Sequence, residues 1–384
     1  MYKILIAGDV VPTESNCSFF EQGDIDTLFG KDIIHILDNT EYKMFNLECP
    51  LTDKQDPIAK SGPNLSASSS SINTIKAIKP SVITLANNHI MDQGNTGLFS
   101  TIELLKDSSI PFIGAGKDID DAQRPFFFSV NNKKVGVFAC AEHEFSIATK
   151  NKPGANPMDL LDTPDLVHGI KSECDFLIVL YHGGKEYYRY PSPQLQKRCR
   201  KIVEKGADLV VCQHSHCIGC MEKVDDATIV YGQGNFIFDG SEDECWKTSL
   251  LLALDENFDL DYIPIKKEKN VVRMAKANDA EKILLDFWNR SEEIKIEGTI
   301  EQKYYQIASI EIDSYLLGMS GIRMGFVYYA LNKLFFHKLT PLIVKCKFKK
   351  RALLSIKNHI ECEAHSELLL TGIDQKIDLI REGD

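Results

Sequence analysis

Short apolar runs alternate with polar stretches over roughly the first two thirds of the chain. This alternation predicts a layered α/β domain, in which buried strands are separated by helices that cover the sheets. The predicted strands are Lys3–Ala7, Lys43–Asn46, Val82–Leu85, Lys134–Ala139, Phe176–Tyr181, Leu209–Cys212, Thr228–Tyr231 and Ser249–Leu254. Helices are predicted at Ser71–Lys79, Leu98–Asp107 and Gln194–Lys205, and the serine-rich segment Gly62–Ser71 is predicted to be an exposed loop.

After Lys267 the pattern changes, because strand signals fade and apolar residues recur at helical spacing. The helices predicted in this part are Asp279–Arg290, Glu301–Ile310, Tyr315–Phe336 and Pro341–Leu370. A chain of 384 residues is long enough for two domains. We therefore predict a boundary near Lys267, with an α/β domain over residues 1–266 and a mainly helical C-terminal extension over residues 267–384.

The C-terminal part also contains a cluster of basic residues interleaved with apolar ones. The basic residues are Lys338, Lys345, Lys347, Lys349, Lys350, Arg351 and Lys357. One interpretation is a basic amphipathic surface that makes peripheral contact with an anionic membrane or a polyanionic partner. The other is the ordinary solvated face of a helix packed on its neighbour, and this interpretation is favoured because such charge runs are common there.

Composition narrows the class of protein. A hydrophobic fraction of 43% and a charged fraction of 26% are those of a soluble globular protein, and the net charge of -11 argues against broad binding to nucleic acid. Because the protein is negatively charged overall, an anionic substrate would need local positive charge at its binding site, for instance from metal ions. The eleven cysteines fit reduced thiols, and the apolar runs are too short for a signal peptide or a transmembrane segment, so we expect a cytoplasmic protein.

Polar residues with ligand chemistry follow several of the predicted strands at the point where each strand ends. These residues are Asp9, Glu48, Asn88, His89, His182, His214 and His216. Each alone has an ordinary explanation as a helix cap, a turn former or a hydrogen-bonded histidine. Because loops converge at the carboxyl edge of an α/β sheet, their repeated occurrence there predicts a common site.

The chemistry of these side chains predicts a metal site. Carboxylate oxygens, an amide oxygen and imidazoles without an obligatory thiolate suit a divalent ion of the Mn, Fe or Zn type. There are more ligands than one structural zinc needs, so one or two ions are expected. Cys217 and Cys220 form a lone C-x-x-C beside the histidine pair, which leaves a structural zinc or redox role as an alternative.

His89 and Asp92 add a candidate for acid–base catalysis. If a helical turn begins after His89, Asp92 lies on the same side and can accept a hydrogen bond from one imidazole nitrogen. The other nitrogen would then protonate a leaving group. The alternative is that Asp92 only caps the turn before Gly94.

Taken together, these segments resemble the capsule-synthesis family typified by the poly-γ-glutamate protein CapA, a branch of the calcineurin-like metallophosphoesterase superfamily. The segments that carry the resemblance are Gly8-Asp9-Val10, Asn46-Leu47-Glu48-Cys49-Pro50-Leu51-Thr52, Leu85-Ala86-Asn87-Asn88-His89, Gly114-Ala115-Gly116, His182-Gly183-Gly184-Lys185-Glu186-Tyr187, Gly206-Ala207-Asp208-Leu209-Val210, His214-Ser215-His216 and Tyr231-Gly232-Gln233-Gly234-Asn235-Phe236. They cover about the first 240 residues.

The resemblance implies a four-layer α/β/β/α sandwich with a dinuclear metal site. It places Asp9, Asn88, His182, His214 and His216 among the ligands, Glu48 at the bridging position and His89 at the catalytic position. It also implies that Asn235 lies beside the pocket, where Glu186 and Tyr187 are further candidates for binding substrate. The first motif, Asp9-Val10-Val11, lacks the histidine of the wider superfamily, which makes the first metal position the least secure.

The function expected from this resemblance is a metal-dependent hydrolase acting on a phosphoester or a γ-glutamyl-type amide, linked to capsule or poly-γ-glutamate metabolism. Its substrate would be an anionic small molecule or polymer. The alternative is a non-catalytic protein that binds a polyanion or assists capsule assembly.

Overall fold

The computed structural model describes residues 2–321, 326–335 and 338–381. The strands in these residues are β1 (Ile4–Val11), β2 (Tyr42–Leu47), β3 (Val82–Thr84), β4 (Phe112–Ile113), β5 (Ala115–Gly116), β6 (Phe126–Val130), β7 (Lys133–Ala141), β8 (Gly154–Ala155), β9 (Phe176–His182), β10 (Leu209–Gln213), β11 (Met221–Val224), β12 (Ala227–Val230), β13 (Ile237–Phe238), β14 (Thr248–Leu254), β15 (Leu260–Glu268) and β16 (Val271–Met274). The helices are α1 (Cys17–Gln22), α2 (Ile25–Asp38), α3 (Ile72–Ala77), α4 (Gly94–Asp107), α5 (Ile119–Ala122), α6 (Asp162–Lys171), α7 (Pro193–Glu204), α8 (Ala277–Glu293), α9 (Thr299–Met319), α10 (Phe326–Leu334), α11 (Leu339–Lys347), α12 (Lys350–Glu361) and α13 (Glu363–Arg381).

The strands form two large mixed sheets. The first has the order β16-β15-β14-β1-β2-β3-β4, with β13 paired to β1, and its strands from β1 to β4 run parallel. The second has the order β11-β12-β10-β9-β7-β6, and its four central strands run parallel. The parallel runs matter for function because they bring several strand ends to one edge of each sheet.

The two faces of the second sheet are buried against different partners. Along β9, Ile178 and Leu180 join the core that contains the first sheet, whereas Leu177 and Val179 join a second core with α6 and α7. A strand alternates its side chains between two faces, so the second sheet is covered on one face by the first sheet and on the other by helices.

Helices cover the first sheet in the same way. The apolar faces of α2, α3 and α4 contribute Phe29, Ile33, Ile75, Leu98 and Leu105 to the core of that sheet. The layers are therefore helix, sheet, sheet and helix, and the predicted four-layer α/β/β/α sandwich is confirmed.

The covering helix α7 shows how local sequence specifies this packing. Ser192 caps its N-terminus by accepting a hydrogen bond from the backbone nitrogen of Leu195, and Pro193 occupies the first turn. Leu195, Cys199 and Ile202 then recur at intervals of about one helical turn and are buried on the second sheet.

The boundary predicted near Lys267 falls inside β15, and the first compact unit runs from Met1 to Tyr304. Pro264 and the lysines after it suggested that the strands had ended, but Ile265 is fully buried and pairs with both β14 and β16. Helix α8 also belongs to this unit, because the side chain of Phe287 is fully buried with its ring centroid 4.9 Å from that of Tyr262.

The second compact unit, Tyr305–Asp384, is helical, as predicted. Helix α9 contains the predicted helix Glu301–Ile310 and the start of the predicted helix Tyr315–Phe336. The second of these predicted helices continues, in the described residues, as α10. Residues 322–325 and Phe336 of that prediction lie outside the described residues. The predicted helix Pro341–Leu370 is divided among α11, α12 and α13. In the described part of the chain, no helix combines the length and apolarity needed to cross a membrane.

A chain ending at Tyr304 is expected to fold, whereas a chain ending at Lys266 is expected to lose its cooperative thermal transition. The shorter chain lacks β16 and α8, so it exposes the edge of β15 and the apolar surface under Phe287. Circular dichroism during heating measures both transitions. Equal cooperativity in the two truncations would contradict the observed boundary.

Candidate metal and catalytic site

The predicted ligands converge where strand ends of the two sheets meet. Asp9 lies near the end of β1, Glu48 directly follows β2, His182 is the last residue of β9, and His214 directly follows β10. All four residues are almost fully buried. Asn88, which follows β3, is buried beside them and its Oδ1 lies 3.1 Å from Nε2 of His182.

His182 is the centre of the contacts on one side of the site. Its Nε2 lies 3.0 Å from Oε1 of Glu48, and its Nδ1 lies 3.8 Å from Oδ1 of Asp9. Asn46 donates a hydrogen bond of 2.7 Å to the same oxygen of Asp9, and its Nδ2 lies 3.3 Å from Nδ1 of His182. These contacts hold the two acidic side chains around one imidazole.

The pair His214 and His216 forms the other side. Their ring centroids are 6.0 Å apart, and both residues have left-handed backbone, with φ of 87° at His214 and 55° at His216. Left-handed backbone is uncommon for residues other than glycine and is typical of strained functional sites. The backbone nitrogen of His214 donates to Oδ2 of Asp9 at 3.4 Å, and Nδ1 of His216 lies 2.9 Å from Oδ1 of Asn235.

Two groups of donor atoms satisfy the spacing of metal ligands. Within each group the atoms lie within 4.8 Å of one another: Asp9, Glu48 and His182 form the first, and Glu48, His214 and His216 form the second. Glu48 is common to both, which is the arrangement expected of a carboxylate that bridges two cations. Asn88 adds an amide oxygen next to His182.

Unpartnered polar atoms indicate that these residues fit a cation. Both carboxylate oxygens of Glu48 and Nδ1 of His214 are buried without a hydrogen-bond partner among the described residues. Buried polar atoms are nearly always paired, so such orphans need an explanation. A divalent ion supplies one, because it binds carboxylate oxygen and neutral imidazole nitrogen directly.

The electrostatics agree with this interpretation. Burial raises the pKa of Asp9 to about 7 and that of Glu48 to about 8. Burial also lowers the pKa of His182 and of His214, and it lowers that of His216 to about 3. The histidines are therefore neutral and retain a lone pair, while burial opposes the ionisation of the carboxyl groups.

His89 and Asp92 are in contact, and Lys60 joins them. Nδ1 of His89 lies 2.6 Å from Oδ2 of Asp92, and the ammonium of Lys60 donates to Oδ1 of Asp92 at 2.5 Å. The backbone nitrogen of Leu65 donates to the same carboxylate, which is thus the acceptor in each of these bonds. This geometry assigns the Nδ1 proton to the bond with Asp92 and leaves Nε2 of His89 for proton transfer.

The three predicted substrate residues occupy different environments. Asn235 is buried and accepts from His216, while its Nδ2 has no partner among the described residues. Tyr187 is 43% exposed and its ring centroid is 6.3 Å from that of His216. Glu186 is half-buried, and burial raises its pKa. Trp246 packs 4.6 Å from the ring of His216, so the histidine has an aromatic neighbour that the motifs did not indicate.

Sequence reasoning missed four polar residues at this site. Lys60 and Asn46 contact predicted residues directly, as described above. Glu144 accepts a hydrogen bond of 2.7 Å from Asn88, and Glu142 lies 3.7 Å from Nε2 of His214. Burial raises the pKa of Glu142 to about 7. Glu142 directly follows β7 and Glu144 comes two residues later, so the rule of strand ends that selected the other residues would have found them.

The alternative of a cysteine-bound zinc gains no support. Cys217 and Cys220 are both buried, but the candidate metal-binding groups in the described part of the chain consist of carboxylates and histidines alone.

The fold and the site together define a four-layer α/β protein with a buried candidate centre for divalent ions. The family described as "Bacterial capsule synthesis protein PGA_cap" matches residues 3–240, and the chain belongs to this family.

Among curated proteins, the chain is 32% identical over 225 residues to the capsule biosynthesis protein CapA of Bacillus anthracis, covering 55% of each chain. It is 28% identical over 223 residues to the PGA biosynthesis protein CapA of Bacillus subtilis (strain 168), covering 57% of this chain and 58% of the relative. The chain therefore matches little more than half the length of these relatives.

Solved structures with a similar fold include a putative 5'-nucleotidase from Staphylococcus aureus in complex with alpha-ketoglutarate. The TM-score is 0.41 at 13% identity, with 74% of this chain and 58% of that chain covered. A novel phosphatase from Mycoplasma pneumoniae gives a TM-score of 0.43 at 13% identity, covering 70% of this chain and 96% of that chain. Similarity at this level does not identify an activity.

Replacing Glu48 by Gln is expected to lower the affinity for Mn²⁺ or Zn²⁺ by at least about tenfold, since the bridging negative charge is lost. His214→Ala is expected to lower metal content as well. Elemental analysis after dialysis against buffered metal measures both effects. The matched control is Glu204→Gln on the exposed surface of α7, and equal metal content in Glu48→Gln and this control would contradict the assignment of the ligands.

The metal-free protein is expected to lose stability as the pH rises from about 6.5 to about 8. The folded pKa values of Asp9 and Glu48, about 7 and about 8, exceed their ordinary values of 3.8 and 4.5, so the folded protein binds more protons and rising pH favours unfolding. The buried histidines act in the opposite direction, but only up to their ordinary pKa of 6.5. Urea unfolding in the presence of a chelator at several pH values measures the trend. A stability that rises over this interval would refute it.

Proposed function

We propose that this protein is a metal-dependent hydrolase that cleaves a phosphoester or a γ-glutamyl-type amide in capsule or poly-γ-glutamate metabolism. The observation that carries the proposal is the carboxylate of Glu48, which is buried, has no hydrogen-bond partner among the described residues and is shared by two groups of candidate ligands. The names of the relatives, which refer to capsule and PGA biosynthesis, support the metabolic context.

The residues that would hold the cations are Asp9, Glu48, Asn88, His182, His214 and His216. Mn²⁺, Fe²⁺ or Zn²⁺ would suit their mixture of oxygen and imidazole donors. When bound, such ions supply a water of lowered pKa and stabilise negative charge that develops on the substrate. A local excess of positive charge would also let an anionic substrate enter a protein whose net charge is -11.

His89 is the proposed proton donor to the leaving group. Asp92 holds its Nδ1 proton and thereby orients the ring, so Nε2 is the atom that exchanges a proton with substrate. Lys60 keeps Asp92 in place through a buried ion pair in which the lysine side chain is 1% exposed. Asn235 orients His216, and its amide nitrogen, which has no partner among the described residues, would bind substrate, while Tyr187 and Glu186 border the same region.

His89→Ala is expected to leave metal content unchanged and to lower turnover by about two or more orders of magnitude, the usual scale of general acid catalysis. The assay uses protein loaded with Mn²⁺ or Zn²⁺ and a panel of phosphoesters and γ-glutamyl peptides. Asn39→Ala on the exposed surface after α2 serves as the control. Equal loss of metal in His89→Ala and His214→Ala would refute this division of roles.

The same assay separates the hydrolase from a non-catalytic protein that binds a polyanion or assists capsule assembly. A loaded protein that cleaves neither class of substrate, yet binds an acidic polymer with the same affinity after His89→Ala, would overturn the enzymatic proposal.

A further inference from the structure

The second compact unit contains a long segment from which acidic residues are absent. Between Asp313 and Glu361 the sequence has none of the chain's 55 Asp and Glu residues, although it has nine of the 44 Lys and Arg residues. The rest of the chain is correspondingly acidic. A segregation of charge this strong indicates a surface for a negatively charged partner.

Within this segment, helices α11 and α12 carry the densest positive charge. Their basic residues are exposed: Lys345, Lys347, Lys349 at the start of α12, Lys350, Arg351 and Lys357. We refer to these two helices, residues 339–361, as the basic helical surface.

The same surface exposes large apolar side chains. Leu342 on α11 is 60% exposed, and Leu353 and Leu354 on α12 are 40% and 58% exposed. Helix α12 has no buried residue at all. The exposure of these leucines to water is unfavourable, because the transfer of an apolar side chain from water to an apolar environment lowers the free energy.

These exposures favour the first of the two interpretations of the basic cluster. An ordinary solvated face would expose the charges and bury the leucines against a neighbouring helix. Here charges and leucines are exposed together, which is the composition of helices that lie in the interface of a bilayer. Lysine suits this location because its aliphatic stem packs along apolar groups while the ammonium reaches the lipid phosphate.

We propose that the basic helical surface binds the surface of an anionic lipid bilayer. The positive charge complements acidic headgroups, and the exposed leucines enter the interfacial region between them. A soluble acidic polypeptide would neutralise the lysines but leave the leucines in water, so lipid is the occupant that accounts for both observations. The proposal is independent of the hydrolase activity.

The test is sedimentation of the full chain with vesicles of phosphatidylcholine and phosphatidylglycerol, compared with vesicles of phosphatidylcholine alone. Binding is expected with the anionic vesicles only, and it is expected to weaken strongly between about 0.1 M and about 1 M salt, as the Debye length shortens. Without a preference for anionic vesicles the proposal fails.

Two variants separate the contributions of charge and apolar contact. The charge variant is Lys345→Gln, Lys350→Gln and Arg351→Gln, which is expected to weaken binding by at least about tenfold, because each basic residue near the surface contributes about fivefold. The apolar variant is Leu342→Gln, Leu353→Gln and Leu354→Gln, which is expected to weaken binding by at least about fivefold.

Each variant has a matched control in the first unit. Lys79→Gln, Lys117→Gln and Lys282→Gln remove the same charge from exposed lysines, and Leu160→Gln, Leu161→Gln and Leu285→Gln remove the same number of exposed leucines. Both controls are expected to bind like the unmodified chain. If the charge control loses as much binding as the charge variant, the attraction is not located in the basic helical surface and the proposal is overturned.

The apolar variant also distinguishes lipid from an acidic polymer. Unchanged vesicle binding by the apolar variant, together with displacement of the unmodified chain by soluble poly-glutamate, would identify a purely electrostatic surface and overturn the lipid proposal. Circular dichroism of every variant verifies that helix content is retained, so that loss of binding is not loss of folding.

Discussion

The structure of the site depends on one unfavourable arrangement, the burial of the Glu48 carboxylate beside that of Asp9. Burial disfavours the charged form of each carboxyl group and is the main reason that the pKa of each is raised, and the neighbouring charge of Glu48 raises the pKa of Asp9 further. The neighbouring histidines do not offset this effect by taking up protons, because burial lowers their pKa values. Burial therefore disfavours the ionised carboxylates at the edge where the two sheets meet, and a bound cation would stabilise them.

The sandwich makes such an arrangement tolerable because its two cores are built independently of the site. Apolar residues of β9 alternate between the core shared by the sheets and the core under α6 and α7, so the strand is fixed along its whole length before it reaches His182. The other ligands likewise extend from buried strands. Packing of the strands, rather than attraction among the candidate ligands, holds the polar groups close together.

The sequence was sufficient to predict the layered fold and the candidate ligands because both follow from the same regularity, an apolar strand that ends in a polar residue. Three features do not follow this regularity and were not predicted. Pro264 interrupts the apolar pattern of β15 and concealed a strand whose Ile265 is fully buried, which shifted the predicted boundary. Lys60 comes from a long loop without periodicity, and only the folded chain brings its ammonium to Asp92. The aromatic contact of Trp246 with His216 depends on a loop that is distant in sequence from the motif.

The left-handed backbone at His214 and His216 makes two separate demands on each position. The ring must supply a nitrogen atom, and the main chain must tolerate a conformation that costs roughly 1–2 kcal/mol for most residues. Glycine satisfies only the second demand, and a β-branched residue satisfies neither. Asparagine and aspartate tolerate this backbone and still offer an oxygen donor, so they are the residues through which these two positions could change during evolution while the loop keeps its shape. If these positions bind metal, the substitutions that could alter the metal preference are therefore few, and the main chain limits them as much as the donor atoms do.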